Sequence, residues 1–278
     1  MSVVISSMSD RRQIRVKKTF VNKNYKHDIE YAIKLSRFVF RLLGIWPYAR
    51  TNPRLPDTLE RVVVVLVSYI ILMCETLPAI LFIIIVQRET RARLKVITVV
   101  IFSIVAMAKY SQLLFNRNLV RNCLAQIEND WRNVAGSSDR DVMIDNTRIG
   151  RRLLIICAVF MYITVVSFRT IVPLSRGKIV TPQNITIRSL PCPSYPILFD
   201  VQITPAYEIV FFIQFMSGFI KSTITTAAAG LAGSFVMHTC AQLEILMILM
   251  NNLANDGEIK NVNERLATIV KHQLQTRK

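Results

Sequence analysis

The sequence predicts an all-α fold, a polytopic helical bundle in a membrane, from two observations. Residues 62–86 form a run of mostly large aliphatic side chains in which Glu75 is the only charged residue. At about 1.5 Å per residue, a helix of this length crosses the roughly 30 Å hydrocarbon core of a bilayer. Three further apolar runs follow in a chain that is 52% hydrophobic. A buried helix of a soluble protein is the less favoured interpretation. The favourable free energy of moving so many aliphatic side chains into the bilayer outweighs the cost of inserting one carboxylate.

The residues that precede the first run, 1–61, are predicted to be a cytoplasmic N-terminal segment. Residues 1–27 are polar and basic, and no apolar stretch follows that would make them a secretory signal peptide. Their arginine-rich, acid-poor composition also fits a mitochondrial transit peptide. A cytoplasmic tail, or a start codon placed too early, is the preferred interpretation.

Residues 28–44 of this segment are predicted to form an amphipathic helix. Asp28 is expected to cap its N-terminus, and Gly44 to end it. Such a helix lies in the membrane interface or packs beneath a helical bundle, and packing is the preferred interpretation. Four charged side chains at helical spacing form its polar face: Glu30, Lys34, Arg37 and Arg41.

The later chain divides into a membrane domain, residues 62–238, and a cytoplasmic part, residues 239–278, that continues the last helix and ends in a polar loop. Residues 119–131 are expected to extend the second transmembrane helix into water. Pro78 is expected to kink the first one. The four predicted transmembrane helices cover residues 62–86, 96–115, 153–174 and 206–236.

Two charges inside the first two apolar runs are predicted to pair. Glu75 precedes the turn between the runs, and Lys109 follows it. In an antiparallel hairpin they lie roughly 18 and 21 Å from the turn, at about 1.5 Å per residue. Since charged side chains inside a membrane usually pair with one another, an ion pair between Glu75 and Lys109 is the hypothesis.

The distribution of basic residues predicts which side of the membrane each segment faces. Lys and Arg are concentrated in residues 1–61, 116–152 and beyond 237, and are fewer in 87–95 and 173–205. The positive-inside rule therefore places the N-terminus in the cytoplasm. A glycosylation sequon at Asn184 falls on the predicted outer side, in agreement.

Catalysis has no support in the sequence. Motifs for phosphate loops, dinucleotide binding, nucleophilic serine and zinc hydrolysis are absent. The five cysteines are scattered and the three histidines lie far apart, so neither a metal site nor a cofactor is predicted. The net charge of +17 would suggest nucleic acid in a soluble domain, but here the basic residues lie between membrane runs. The chain is predicted not to be an enzyme or a nucleic-acid-binding protein.

A cavity for a small apolar molecule is predicted in the outer halves of the second, third and fourth transmembrane helices. Aromatic and thioether side chains with a few polar neighbours are typical of such ligand sites. Helix packing or contact with membrane lipid is the plainer interpretation of each residue taken alone. The candidate lining residues are Phe102, Met107, Tyr162, Phe168, Phe211, Phe212, Phe215 and Met216.

Three segments together resemble insect odorant receptors. Residues 42–47, Leu-Leu-Gly-Ile-Trp-Pro, are similar to a signature before the first transmembrane helix of that family. Residues 190–196, Leu-Pro-Cys-Pro-Ser-Tyr-Pro, followed by Tyr207 and Glu208, resemble its second extracellular loop and the exit from it. Residues 234–243 look like the cytoplasmic end of its fourth helix. The order and spacing of these segments extend the resemblance over about residues 28–278.

The resemblance implies a subunit of an odorant-gated cation channel. Such a subunit binds small volatile ligands, assembles with a shared coreceptor and is located in the plasma membrane of sensory neurons. It also implies seven transmembrane helices with the last lining the pore, so a truncation after the fourth helix is expected here. A gustatory-type chemoreceptor is the close alternative. A four-helix membrane transport or assembly subunit is the alternative from another class, although the inverted repeats or broken helices of carriers are not seen.

Overall fold

A computed structural model describes residues 22, 24–45, 55–86, 89–134, 136–180, 186–193 and 201–255. Asn184, the predicted glycosylation site, lies outside the described residues. So do residues 256–278, which belong to the predicted cytoplasmic part.

Four helices among the described residues are long and apolar enough to cross a membrane, which confirms the predicted all-α bundle. Each extends beyond its apolar run, because polar residues continue the helix on one or both sides of the run. Hydropathy therefore marks the apolar part of each helix rather than its ends. The four candidate spans are Thr58–Val86, Arg93–Phe115, Ser137–Ser175 and Ala206–Asn251.

The described elements comprise seven α-helices and a two-stranded antiparallel sheet. The helices are α1 (Tyr25–Leu42), α2 (Leu55–Leu81), α3 (Thr90–Phe115), α4 (Arg117–Arg132), α5 (Ser137–Val166), α6 (Val172–Arg176) and α7 (Ala206–Asn255). The strands are β1 (Lys178–Val180) and β2 (Thr186–Arg188), with Ile179 opposite Ile187. Two π-helical turns, Phe82–Val86 and Ser167–Ile171, follow α2 and α5.

Two predicted helix boundaries are wrong. Helix α1 begins at Tyr25, so Asp28 lies in its first turn, where its carboxylate pairs with Arg140 instead of capping the helix. The predicted continuation of the second transmembrane helix is a separate helix, α4, because the backbone leaves helical geometry at Asn116 (φ −90°, ψ 21°). Apolar periodicity persists across such a break, so it does not reveal it.

Helix α7 packs against α1, α2, α3 and α5 and organises the bundle. Near the end that carries α1 and α4, here called the N-terminal end, Phe40, Leu72 and Tyr110 form one core with Ile224 of α7. The opposite end, at the β1–β2 pair, is here called the hairpin end. Many large apolar side chains stay exposed, including Phe160 (69%), as expected of helices whose outer faces contact lipid.

Candidate functional site

Three charged side chains meet inside the bundle, towards the hairpin end. Glu75 of α2 and Lys221 of α7 are each 1% exposed, and Arg169 in the π-helical turn after α5 is 9% exposed. Lys221 Nζ lies 2.7 Å from Glu75 Oε2, and Arg169 Nη2 lies 2.5 Å from Glu75 Oε1. Lys221 Nζ also donates a hydrogen bond of 3.0 Å to Ser103 Oγ of α3. This charge cluster of Glu75, Arg169 and Lys221 therefore ties four elements together within the bilayer.

The predicted ion pair between Glu75 and Lys109 is wrong in its partner. The hydroxyl groups of Tyr69 on α2 and Ser111 on α3 lie 2.7 Å apart, which sets these two residues at one depth. Glu75, six residues nearer the hairpin end, is therefore level with about residue 105 of α3. Lys109 therefore lies about 6 Å closer to the N-terminal end than Glu75, at about 1.5 Å per residue. Its side chain is half-buried and makes no ion pair with another described residue.

The sequence of α7 places Lys221 on a polar stripe of a mostly apolar helix. Gln214, Ser217, Lys221 and Thr225 recur at spacings of three and four residues, which puts them on one face. Gln214, Ser217 and Lys221 are all buried, and the Ser217 hydroxyl lies beside the Glu75 carboxylate. Polar side chains inside a membrane bundle face its interior because lipid cannot satisfy them.

The π-helical turn and a glycine together make room for Arg169. Helix α5 changes to π-helical geometry at Ser167–Ile171, and there Phe168 is 65% exposed while Arg169 points inward. Across from it, a Cβ added at Gly218 would lie 3.3 Å from both Cγ and Nε of Arg169. Single π-helical turns occur often at functional sites because they redirect side chains within a helix.

A short loop segment closes the bundle at the hairpin end. Cys192 is 1% exposed and packs with Ala79, Val96 and Val100 of α2 and α3. The Gln214 side chain bonds both backbone groups of Cys192: it accepts from the amide at 3.0 Å and donates to the carbonyl at 2.9 Å. Burial raises the pKa of the Cys192 thiol to about 11, so it is uncharged at neutral pH.

The structure brings part of the predicted pocket lining together. The hydroxyl oxygens of Tyr162 and Thr223 lie 2.9 Å apart, which joins α5 to α7. The Tyr162 ring centroid lies 5.8 Å from that of Phe219, which in turn lies 4.9 Å from that of Phe215. Phe211 forms a further ring contact with Tyr207, at 6.1 Å. An aromatic row thus runs along α7, at a spacing of four residues.

Other predicted lining residues lie apart from this row. Phe102, Phe168 and Phe212 are 38%, 65% and 60% exposed, respectively, on the described surface. Met107 packs against the core near Tyr110, and Met216 is half-buried. The part of all eight predicted residues in a ligand pocket stays a prediction.

Sequence reasoning missed Arg169 and Lys221 as partners of Glu75. Each stands as a charge within an apolar run, and that signal alone could have identified them as members of a buried cluster. Gln214 and Cys192 carry no comparable signal. Within the described part of the chain, no group of three or more His, Cys, Asp or Glu side chains could hold a metal ion.

A small cavity lies at the N-terminal end, away from the charge cluster. Residues of α1, α4, α5 and α7 line it, among them Ser36, Trp131, Arg151 and His238. Its volume of about 40 Å³ has room for about three water molecules. That is far below the roughly 300 Å³ of an ordinary small-molecule site. In this conformation the cavity suits water rather than an organic ligand.

Comparison with known proteins gives a family match and a similarity to solved structures. A family model described as "7tm Odorant receptor" matches residues 89–278. The insect olfactory receptor OR5 from Machilis hrabei superimposes with a TM-score of 0.62 in its complex with eugenol, at 15% sequence identity. A second structure of OR5 gives 0.61 at 16% identity. Each superposition covers 91% of this chain and 65% of the OR5 chain. The comparison with curated protein sequences gives no match.

Proposed function

The chain belongs to the 7tm odorant receptor family, and from that premise we propose that it is a ligand-binding subunit of an odorant-gated cation channel. The observation that carries the proposal is the family match over residues 89–278, which includes α3, α4, α5 and α7. The chain is not an enzyme. It spans about 65% of the length of the OR5 chains, so the activity of a whole receptor is part of the proposal.

The proposed ligand is a small volatile organic molecule bound near the hairpin end of the bundle. The aromatic row on α7 with Tyr162 would supply apolar contacts, and the charge cluster would supply polar ones. Apolar walls with a few polar groups are typical of small-molecule sites. Eugenol, bound by OR5 in its complex, is the first probe to use.

The proposed partner is the odorant receptor coreceptor, and the proposed location is the plasma membrane of sensory neurons. The N-terminus is proposed to be cytoplasmic, which places the hairpin end outside the cell. The excess of basic residues before α2 and between α3 and α5 supports this orientation. Asn184 is then on the outer side and open to glycosylation.

The binding part of the proposal is tested with the purified chain in phosphatidylcholine nanodiscs. We expect eugenol, or another member of a panel of neutral volatiles, to bind saturably and to raise the midpoint of thermal unfolding, since a ligand that binds only the folded state stabilises it. Phe215→Ala should weaken this binding, because Phe215 lies in the aromatic row. Phe160→Ala is the matched control, because Phe160 is exposed towards lipid. Absence of saturable binding across the panel would contradict the proposal.

The channel part is tested by coexpression with an insect coreceptor in oocytes. We expect odorant-evoked cation current with both subunits that differs in odorant tuning from the coreceptor alone. Solute flux without the coreceptor would instead support a transport subunit. An epitope tag at the N-terminus tests the orientation, and detection of that tag on intact cells would contradict it.

A further inference from the structure

The charge cluster is not electrically balanced. It contains one carboxylate, Glu75, and two cations, Arg169 and Lys221, and no other described carboxylate pairs with either cation. Lys221 uses its ammonium on Glu75 and Ser103. An uncompensated charge inside a membrane protein is costly, so such clusters usually bind a counter-charge or a substrate.

The excess positive charge has a definite donor atom. Arg169 Nη2 lies 2.5 Å from Glu75 Oε1, and both that oxygen and the buried Arg169 Nη1 are without a hydrogen-bond partner among the described residues, so two positive charges face one carboxylate and one donor nitrogen is unused. A guanidinium bonds carboxylates through parallel N–H groups, and these charge-assisted bonds are about twice as strong as neutral ones. A single carboxylate would therefore neutralise the unmatched positive charge and accept a hydrogen bond from the unused donor.

We propose that the charge cluster binds the carboxylate of a small aliphatic acid, with Arg169 Nη1 donating to the anion. One monocarboxylate brings the net charge of the site to zero and satisfies the buried donor. A neutral carbonyl or hydroxyl would accept the hydrogen bond but leave the charge. This inference rests on the proposed function and names the class of odorant that the site takes.

Uncharged groups pack beside the Arg169 side chain, which is what a short aliphatic tail requires. Gly218 of α7 lies so close to it that an added Cβ would be 3.3 Å from Arg169 Nε, and Val165 of α5 is equally near to that position. The loop segment at Cys192 covers the hairpin end above the cluster and is uncharged there.

The test measures equilibrium binding of radiolabelled hexanoate to the purified chain in phosphatidylcholine nanodiscs. Unlabelled competitors of matched size are methyl hexanoate and 1-hexanol, and acetate tests the contribution of the tail. We expect hexanoate to compete at least tenfold more effectively than either neutral compound or acetate. Equal competition by acetate or chloride would mean a site for any small anion and would overturn the proposal.

Variants separate the guanidinium from the rest of the bundle. Arg169→Gln removes the guanidinium and its positive charge but leaves the balanced pair of Glu75 and Lys221, so the bundle is expected to fold. The tenfold preference for hexanoate over its ester should fall to within twofold. Lys109→Gln is the matched control, because it removes another half-buried membrane cation outside the cluster, and the preference should stay unchanged.

A second variant keeps the charge and moves the donor, in case Arg169→Gln does not fold. The Cβ of Gly218→Ala would lie 3.3 Å from Arg169 Nε and 3.2 Å from a Val165 methyl group, so the guanidinium must shift. Hexanoate binding should weaken severalfold while binding of a neutral volatile changes less. Undiminished hexanoate binding in Gly218→Ala, or in Arg169→Gln where that variant folds, would overturn the assignment of Arg169.

The outcomes separate this inference from the proposed function. Saturable binding of eugenol or another neutral volatile without preference for hexanoate over its ester would leave the odorant site standing and overturn the acid site. Binding of neither volatiles nor hexanoate would contradict the proposed function itself. Palmitate tests whether the site takes an acid derived from membrane lipid. Exclusive binding of palmitate would overturn the assignment to an odorant.

Discussion

Two buried carboxylates at opposite ends of the bundle have opposite surroundings. Asp28, near the N-terminal end, is 4% exposed and accepts hydrogen bonds from Arg140 Nε at 2.7 Å and Nη2 at 2.8 Å. Asn22 Nδ2 donates a third, at 2.9 Å. Glu75, towards the hairpin end, contacts two cations, and one guanidinium nitrogen beside it has no described partner.

The difference separates a structural ion pair from a candidate binding site. At Asp28 one carboxylate meets one guanidinium in a two-point contact, so charge and hydrogen bonds are both balanced. At Glu75 both are left incomplete, and one π-helical turn follows the helix that carries Glu75 while another contains Arg169. Proteins tolerate incomplete buried polar groups mainly where function requires them. The comparison therefore indicates a structural role for the Asp28 pair and supports the proposal of ligand recognition at the hairpin end.

The largest expected effect follows from removing the carboxylate at the hairpin end. Glu75→Gln leaves Arg169 and Lys221 buried without a counter-charge, and loss of one partner of a buried pair costs about 3–5 kcal/mol. We expect most of the protein to be lost from the monodisperse peak in size-exclusion chromatography of detergent extracts. Lys109→Gln should leave that peak unchanged. A normal peak for Glu75→Gln would show that the cluster is not held by its carboxylate.

The next effect concerns the closing loop segment. Gln214→Leu removes both hydrogen bonds to the Cys192 backbone and leaves two buried polar groups unpaired, at about 1–3 kcal/mol each. Because this cost favours local opening, Cys192 should react with N-ethylmaleimide at least about tenfold faster, as read by peptide mass spectrometry. Substitution of the exposed Gln112 by Leu is the control. An unchanged rate at Cys192 would mean that Gln214 does not hold the segment.

A smaller effect is expected for the balanced pair. Asp28→Asn removes the charge but keeps an amide of the same shape, so the free energy of unfolding should fall by about 1–3 kcal/mol. Asp145→Asn is the matched control, because Asp145 and Arg148 form an exposed pair, and such pairs contribute about 0–1 kcal/mol. Thermal unfolding in detergent measures both. A larger loss of stability for Asp28→Asn than for Glu75→Gln would reverse the comparison between the two ends.

The fold was predictable because its signals are local. Each apolar run is contiguous, so its length alone indicates a transmembrane helix. The break at Asn116 and the π-helical turns escaped prediction, since neither changes the apolar pattern around it. Helix ends were misjudged for the same reason, as the start of α1 at Tyr25 shows.

The candidate site was only partly predictable because its contacts are not local. The charge of Glu75 inside an apolar run indicated a buried pair, but its partner depends on the register of helices far apart in sequence. Lys109 lies on the next transmembrane helix along the chain. Lys221 of α7 is nevertheless the lysine that contacts Glu75, because α7 packs against both α2 and α3. The role of Gln214 depends on the path of a loop, which apolar periodicity does not encode.

The smallest expected effect is a pH dependence confined to the balanced pair. Hydrogen bonds from Arg140 hold the pKa of Asp28 below its ordinary value of about 3.8, in spite of burial, which acts in the opposite direction. The unfolded chain therefore takes up the proton first as the pH falls. The contribution of Asp28 is complete above about pH 4 and is lost as the pH falls through the lower pKa of the folded protein. The difference in unfolding midpoint between the wild type and Asp28→Asn should thus shrink as the pH falls below about 4. A difference that grows on acidification would mean that the Asp28 carboxyl is protonated in the folded bundle. Asp28 and Arg140 would then not form a balanced ion pair, and the contrast with Glu75 would be wrong.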